Sequence, residues 1–227
     1  MLRWFIISIS FLLSACVAVQ PSNNDATAQQ TRQACAKPPA GDTAVRLDMV
    51  QQLMDDGRMH AALAHLDELG GDSLYATYLR AEILRQSERG NEAKPLYQQL
   101  TESCLAGQGH HGLGLIAGRN GESSEAKSQL AKAAELLPVN GRIRNDYGYA
   151  LLINGDFTAA RHEFLTAIEL SEANQLAETN MVILLLLQGQ QQKAVSFANK
   201  LNMDEQTFTE LKAQANTLAK QIPTGQP

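Results

Sequence analysis

The sequence lacks the features by which most enzymes and nucleic-acid-binding proteins are recognised. It has no cluster of positive charges and a formal net charge of −5, so we expect no binding to a nucleic-acid backbone. Serine, histidine and aspartate are present, but not in a nucleophile elbow or another catalytic arrangement. No strand is evident before a glycine-rich segment, which excludes the usual phosphate-binding loop. The protein is therefore not expected to be an enzyme.

Histidine and cysteine are too few and too poorly spaced to predict a metal site. His110 and His111 are adjacent, and neighbouring residues of a helix point about 100° apart, so the two side chains cannot easily hold one ion. No spaced pair of cysteines or histidines completes a tetrahedron around them. We expect no metal and no cofactor.

The first sixteen residues, MLRWFIISISFLLSAC, resemble a bacterial lipoprotein signal. One arginine precedes an apolar run from Phe5 to Leu13, which is too short to cross a bilayer. The following residues are similar to a lipobox, in which Cys16 is lipidated and the signal, residues 1–15, is removed. Because Val17 rather than aspartate follows the cysteine, the resemblance implies an outer-membrane protein facing the periplasm. The alternative is an ordinary signal that is cleaved nearby, with the loss of Cys16.

Residues 16–42 are predicted to form a flexible tether, because polar residues, alanine and proline dominate and no apolar periodicity is present. A coil of about 25 residues has an r.m.s. length on the order of 25–30 Å, so the folded part can stand away from a membrane. In an oxidising compartment, Cys35 of the tether and Cys104 favour a disulfide. The alternative is a buried Cys104 and a free Cys35 thiol.

From Thr43 onward the sequence repeats with a period of about 34 residues, which predicts stacked helix–turn–helix units. Five copies align, at residues 43–72, 74–105, 107–140, 141–174 and 175–202, and the first two are a few residues short. Small or bulky residues recur at positions where two helices must approach closely. The residues assigned to this packing are Gly114, Gly121, Ala126, Gly148, Gly155, Ala160, Phe164, Gly189 and Ala194.

The last copy needs a cover, and residues 203–222 supply an amphipathic helix with apolar residues every three or four positions. Pro223 ends this helix, and residues 223–227 form a short tail. We therefore predict an all-α solenoid, a right-handed superhelix of about eleven helices. Circular dichroism with substantial β content would contradict this prediction.

The segment Arg144–Leu170 is similar to one tetratricopeptide repeat (TPR). Together with the lipobox and the polar tether, the passage from Arg144 to Ala219 resembles the TadD family, the TPR lipoproteins of tight-adherence (Flp) pilus assembly. The short early repeats and the extra cysteine pair depart from the family pattern. The resemblance implies a pilotin-like adaptor that binds the secretin or another protein of the pilus secretion machine. The alternative is an adaptor that recruits or activates a periplasmic protease or peptidoglycan enzyme.

In TPR proteins, set positions of each first helix line a concave groove, and the resemblance maps these positions onto the chain. The resulting candidates for partner binding are Leu115, Arg119, Arg142, Asn145, Tyr149, Leu152, Ile153, Ile183 and Leu186. Most are apolar, which is typical of a groove that receives a helix or an extended segment of another protein. The alternative is that residues 181–187 form a helix buried on all sides and covered by the C-terminal helix.

Overall fold

The computed structural model describes residues 41–70, 73–170 and 175–222, and within them it contains eleven α-helices and no strand. The helices are α1 (Asp42–Asp55), α2 (Met59–Leu69), α3 (Leu74–Gln86), α4 (Gly90–Thr101), α5 (Ala106–Arg119), α6 (Ser123–Leu136), α7 (Gly141–Ile153), α8 (Phe157–Leu170), α9 (Gln175–Leu187), α10 (Gln191–Lys200) and α11 (Glu205–Leu218). None of the described helices has the length and hydropathy needed to span a membrane. The all-α prediction and the expected number of helices are confirmed.

The first ten helices form five consecutive pairs, from α1 with α2 to α9 with α10, and each pair packs against the next. The remaining helix, α11, lies against α9 at the C-terminal end. The predicted architecture of five helix–turn–helix repeats and one capping helix is therefore confirmed. Because each repeat has few apolar residues of its own, its stability depends on the neighbour that it contacts.

Side-chain caps mark where α7 and α11 begin. The Asn140 side chain accepts a hydrogen bond of 3.1 Å from the backbone N–H of Ile143 at the start of α7. The Asp204 carboxylate does the same for Thr207 at the start of α11, at 2.8 Å. These bonds satisfy backbone donors that have no partner within the helix, and caps of this type typically contribute about 1 kcal/mol.

Glycines in the turns inside the last three repeats have a role different from the predicted one. Gly121, Gly155 and Gly189 have φ angles of 78°, 80° and 69°, in the left-handed region. A Cβ atom on Gly121 or Gly189 would meet no other atom within 4 Å, so these two glycines are not sites of close helix packing. The residue after each of the three glycines donates a backbone hydrogen bond of 2.9 Å to the carbonyl five residues earlier, which terminates the preceding helix.

Gly114 and Gly148 are the glycines that permit close packing. A Cβ on Gly114 would lie 2.6 Å from Cγ of Leu130, and one on Gly148 would lie 2.7 Å from Cε1 of Phe164. Phe164 is fully buried, as are the three predicted packing alanines, Ala126, Ala160 and Ala194. These six residues therefore pack as the sequence predicts, and only the three turn glycines were assigned to the wrong role.

Glu88 occupies the turn position that is glycine in the other repeats, and its φ angle is 64°. A left-handed conformation costs a residue with a side chain roughly 1–2 kcal/mol. We therefore expect Glu88→Gly to raise the free energy of unfolding by about 1 kcal/mol, despite the loss of the exposed ion pair with Arg119. Urea denaturation measures the change, and Glu88→Ala is the control because it removes the carboxylate but keeps the strain. Equal stabilities of the two variants would contradict the prediction.

Cys104 lies between α4 and α5 and is disulfide-bonded. Cys16 and Cys35, with the predicted signal, most of the tether and the C-terminal tail, lie outside the described residues. The lipidation of Cys16 and the pairing of Cys35 with Cys104 therefore stay predictions.

Candidate partner-binding groove

A groove of about 730 Å³ opens between α5, α6, α7, the first turns of α9, and α11. We call it the central groove. Its apolar side chains are Leu115, Ala126, Leu130, Tyr149, Ala150, Ile153, Leu176 and Leu218, and its longer polar and charged side chains are Arg119, Asn145, Asp146, Asn154, Asn180, Gln214 and Gln221. Ligand sites in proteins typically have volumes of about 300–1,000 Å³, and the volume of this groove lies within that range.

Two of the repeats supply the predicted residues that line this groove. Leu115 and Arg119 project from α5, and Asn145, Tyr149 and Ile153 project from α7. Tyr149 is half-buried, and burial raises the pKa of its hydroxyl group. Its phenol therefore stays neutral at ordinary pH and offers an aromatic surface and a hydrogen-bonding hydroxyl group to whatever enters the groove.

Three predicted groove residues are instead part of the hydrophobic core. Leu152 and Ile183 have exposed fractions of 0% and 1%, and Leu186 packs against the same core cluster. The physical reason is that α11 lies across α9, so that Leu211, Ala215 and Leu218 cover this apolar surface. Leu152 and Ile183 are therefore too buried to contact a partner, and Leu186 is partly buried and does not line the central groove. The buried alternative describes residues 181–185.

Arg142 is also outside the central groove. It is exposed and does not line that cavity. Its charge acts on Tyr78 of α3: burial, with the nearby charge of Glu82, raises the pKa of Tyr78 to about 12, and Arg142 opposes this rise. The predicted role of Arg142 in the same groove as Tyr149 is therefore not supported by its position.

The C-terminal helix contributes a wall of the groove that the sequence did not predict. Gln214, Leu218 and Gln221 line the cavity and follow one another at intervals of four and three residues. Gln214 and Leu218 therefore share one face of α11, and Gln221 follows the end of this helix. The sequence does show polar residues that flank the apolar stripe. They indicate a wall of the groove only when the position of α11 is known.

A row of hydrogen-bonded polar side chains includes three residues that line the central groove, Asn145, Asp146 and Asn180, together with His111, which does not line it. His111 Nε2 lies 2.7 Å from Asp146 Oδ2, and Asn145 Nδ2 donates to Asp146 Oδ1 at 3.2 Å. Asn180 Nδ2 donates to Asn145 Oδ1 at 2.8 Å. We call these four residues the polar row. They connect α5, α7 and α9, and His111, Asn145 and Asn180 are buried.

The second repeat contains a buried cluster of polar side chains that bond to one another. The buried Glu82 carboxylate accepts hydrogen bonds from the hydroxyl group of Tyr97, from Arg85 at 2.7 Å and from Gln86 at 3.2 Å. Burial acts to raise the pKa of Glu82, but the hydrogen bonds and the charge of Arg85 outweigh it and the pKa is lowered. This cluster is a structural link between α3 and α4, in contrast to the open groove of the later repeats.

In the described part of the chain, no group of three or more histidine, cysteine, aspartate or glutamate side chains is arranged to hold a metal ion. His110, which the sequence places beside His111, lies 2.7 Å from the amide oxygen of Gln129 through its Nδ1 atom. The two histidines therefore contact different helices.

Comparison with known proteins identifies the family. No family model matches the chain. The TPR repeat-containing protein PA4299 of Pseudomonas aeruginosa is 39% identical over 190 residues, which cover 84% of this chain and 77% of that protein. The chain belongs to the TPR repeat proteins. The resemblance of its repeats to the TPR pattern is thus confirmed.

Solved structures share the fold of this TPR protein. A structure from a functional characterization of Pseudomonas aeruginosa pilF has a TM-score of 0.60 at 14% identity, covering 88% of this chain and 95% of that one. MamA of AMB-1 has a TM-score of 0.53 at 19% identity, covering 70% and 96%. YrrB, described as a TPR protein with an unusual peptide-binding site, has a TM-score of 0.51 at 19% identity, covering 79% and 90%. At these identities the likeness concerns the fold alone.

Proposed function

We propose that this TPR protein is a non-catalytic adaptor that binds a segment of a protein partner in the central groove. The observation that carries the proposal is that Leu115, Tyr149 and Ile153 line a cavity that α11 borders without filling. Apolar and aromatic side chains in a concave site, with a few polar groups among them, are typical of a binding site. TPR proteins as a class mediate protein–protein contacts, which supports a protein rather than a small molecule as the ligand.

The proposal extends to the location and the partner. The sequence of the first sixteen residues supports a lipid on Cys16 and attachment to the outer membrane, with the repeats in the periplasm. Three acyl chains exceed the two signals that stable anchoring requires. The resemblance to the TadD family supports a pilotin-like role, in which the partner is the secretin or another component of a Flp pilus secretion machine.

Capture of the partner tests this proposal. Crosslinked protein recovered from outer membranes with the intact chain is expected to contain a component of the pilus machine. Tyr149→Asp is expected to reduce the recovered partner at least tenfold, because a carboxylate in the groove must be desolvated when the partner binds. Recovery is measured by quantitative mass spectrometry.

The control for the charge is Leu165→Asp, because Leu165 is exposed on α8 and does not line the central groove. It is expected to leave recovery unchanged, whereas Cys16→Ala is expected to move the protein out of the membrane fraction. If Tyr149→Asp recovers the partner as well as Leu165→Asp does, the groove is not the binding site. A protease or a peptidoglycan enzyme as the recovered partner would replace the pilus assignment.

A further inference from the structure

Helix α1 carries exposed apolar side chains at the N-terminal end of the repeats. Val45 and Met49 lie one turn apart in this helix, with exposed fractions of 67% and 49%. Asp48 and Gln52, which share this side of the helix, are exposed as well. We call these four residues the end face. No described helix lies before α1, so no repeat of this structure covers the end face.

The corresponding positions of the other repeats are buried. The inner turn of every repeat contains one residue in the left-handed region, and Val45 lies twelve positions before the first of them, Gly57. The residues at the same distance before the other four turn residues are all buried, and they are Ala76, Gly109, Ile143 and Ala177. The counterparts of Met49, each partly or fully buried, are Arg80, Leu113, Tyr147 and Met181. Val45 and Met49 therefore occupy positions at which the solenoid normally packs one repeat against the next.

In the later repeats these positions contact the second helix of the preceding repeat. A Cβ atom on Gly109 of α5 would lie 2.8 Å from the carbonyl oxygen of Tyr97 in α4. Ile143 of α7 shares a hydrophobic cluster with Ala133 and Ala134 of α6. The end face has the same place in the first repeat, so the partner that fits it is an α-helix.

The opposite end of the solenoid is closed by polar side chains. None of the exposed large apolar residues of the described chain lies in α11, and the exposed positions of this helix include Lys212 and Asn216. A polar outer surface is what the last repeat of a solenoid needs for solubility. Val45 and Met49 at the other end do not meet this requirement, which indicates a surface that another molecule covers.

Carboxylates without a counter-charge lie beside the apolar pair. Asp42 and Asp48 are exposed and form no ion pair with another described residue, and the ion pair that α1 does form joins Arg46 to Glu68 at 3.6 Å. Residues 41–70 contain six carboxylates and two arginines, which gives this repeat a net charge of −4. Lysine or arginine beside the apolar residues of a partner would therefore be attracted to the end face.

Neither the chain's own N-terminal segment nor a second copy of the chain fits the end face. Between residues 17 and 40, Val17 and Val19 are the only large apolar residues, and both lie far along the chain from α1. In a symmetric dimer the same surface lies on both sides of the contact, so the aspartates of the two copies would lie close together and repel each other. The occupant is therefore a helix of a different protein.

We propose that the end face binds a basic amphipathic helix of a partner protein, in the position that the second helix of a preceding repeat would have. Apolar residues of this helix, three or four positions apart, lie against Val45 and Met49, and its lysines and arginines lie opposite Asp42 and Asp48. No residue of the end face lines the central groove. This second binding surface therefore does not depend on the function proposed for that groove.

Selection from a displayed library of helical peptides tests the proposal, with the mature chain carrying Cys16→Ala as the target. The peptides have about 20 residues, a length at which alanine-rich sequences form helices in water, and they are randomised along one face. Peptides that also bind a target with Met49→Arg are removed, so that the retained peptides depend on the end face. These are expected to carry leucine, isoleucine or methionine three or four positions apart, with lysine or arginine on either side.

Two matched pairs of variants assign the contact, with affinities measured by fluorescence anisotropy of a labelled retained peptide. Val45→Arg is expected to weaken binding about tenfold, because it removes an apolar contact and repels a basic helix. Leu165→Arg, at an exposed position of α8, is expected to leave the affinity unchanged. Asp48→Asn is expected to weaken binding about fivefold and to reduce its salt dependence, whereas Glu169→Gln has no effect. All four positions are exposed, so the thermal transition should stay that of the unmodified chain.

The proposal is overturned if no peptide remains after the removal step, or if the retained peptides are acidic or are not helical when bound. Equal effects of Val45→Arg and Leu165→Arg would also exclude the end face. If Tyr149→Asp weakens binding as much as Val45→Arg does, the peptide lies in the central groove instead. A dimer in analytical ultracentrifugation that Val45→Arg dissociates would make a second copy of the chain the occupant.

Discussion

Alanine in place of Gly109 is expected to lower the free energy of unfolding by about 2–3 kcal/mol, the upper part of the range for overpacking in a tight core. A Cβ atom at this position would lie 2.8 Å from the carbonyl oxygen of Tyr97 and 2.9 Å from the backbone nitrogen of Thr101. Both atoms belong to α4, so relief requires that α4 and α5 move apart. Since α5 carries Leu115 and Arg119, the same movement would widen the central groove.

Gly118 is the matched control, because it lies in the same helix without a close neighbour. A Cβ there would meet only the Cβ atom of Ala126, at 3.8 Å. Gly118→Ala is therefore expected to raise the free energy of unfolding by about 0.5–1 kcal/mol, as alanine does in a helix interior. Urea denaturation measures both changes. A decrease of equal size in both variants would contradict contact with α4 as the cause of the loss at Gly109.

The glycines show what periodicity predicts and what it does not. Gly114 and Gly148 recur after one repeat, as do Gly121, Gly155 and Gly189, and from the sequence alone both sets were assigned to helix packing. The structure separates them, because the first set lies within helices and the second follows their ends at positive φ. A glycine that lies after the last apolar residue of a helix is more often a C-cap, and this position distinguishes the two roles.

Gly109 and Gly112 illustrate the opposite case. They occur in one repeat only, so the repeat pattern gives them no role, yet a Cβ on Gly112 would lie 2.2 Å from the Tyr97 ring. Gly112 is required by the ring of Tyr97 in the preceding helix, α4, and Gly109 is required by the backbone of the same helix. Such a pair can be recognised only when both helices are placed, because neither residue predicts the other along the chain.

The groove residues that belong to the repeats could be predicted from the sequence. The residues whose environment depends on α11 could not. Leu115, Tyr149 and Ile153 follow from the register of α5 and α7, which the period fixes. Ile183 occupies a corresponding register position in α9, but its environment is determined by a helix that has no counterpart in the other repeats. The bonds His111–Asp146 and Asn145–Asn180 join residues that are 35 positions apart in both cases, close to the period. This spacing is a usable signal once the first helices of successive repeats are known to be neighbours.

The Ile183→Asp variant is expected to be unfolded at 37 °C and therefore to show no cooperative unfolding transition. Ile183 is 1% exposed and belongs to the cluster that contains Leu152 and Leu218. An aspartate there would be buried without a partner, and substitutions of this kind cost more than about 4 kcal/mol, a large part of the roughly 5–15 kcal/mol that stabilises a typical domain. Thermal unfolding followed by circular dichroism measures the loss of stability. The milder variant Ile183→Ala is expected to cost about 2–5 kcal/mol, so that its unfolding transition is lowered but still measurable.

Tyr149→Asp, measured in the same assay, distinguishes a residue of the groove from a residue of the core. Because Tyr149 is half-buried and lines the cavity, its replacement is expected to leave a cooperative transition while it removes partner capture. The two aspartate variants therefore differ in kind: one loses the fold, and the other loses only binding. If the Ile183→Asp protein is folded but fails to capture the partner, α11 must leave α9 in solution. Ile183 would then belong to the partner-binding surface.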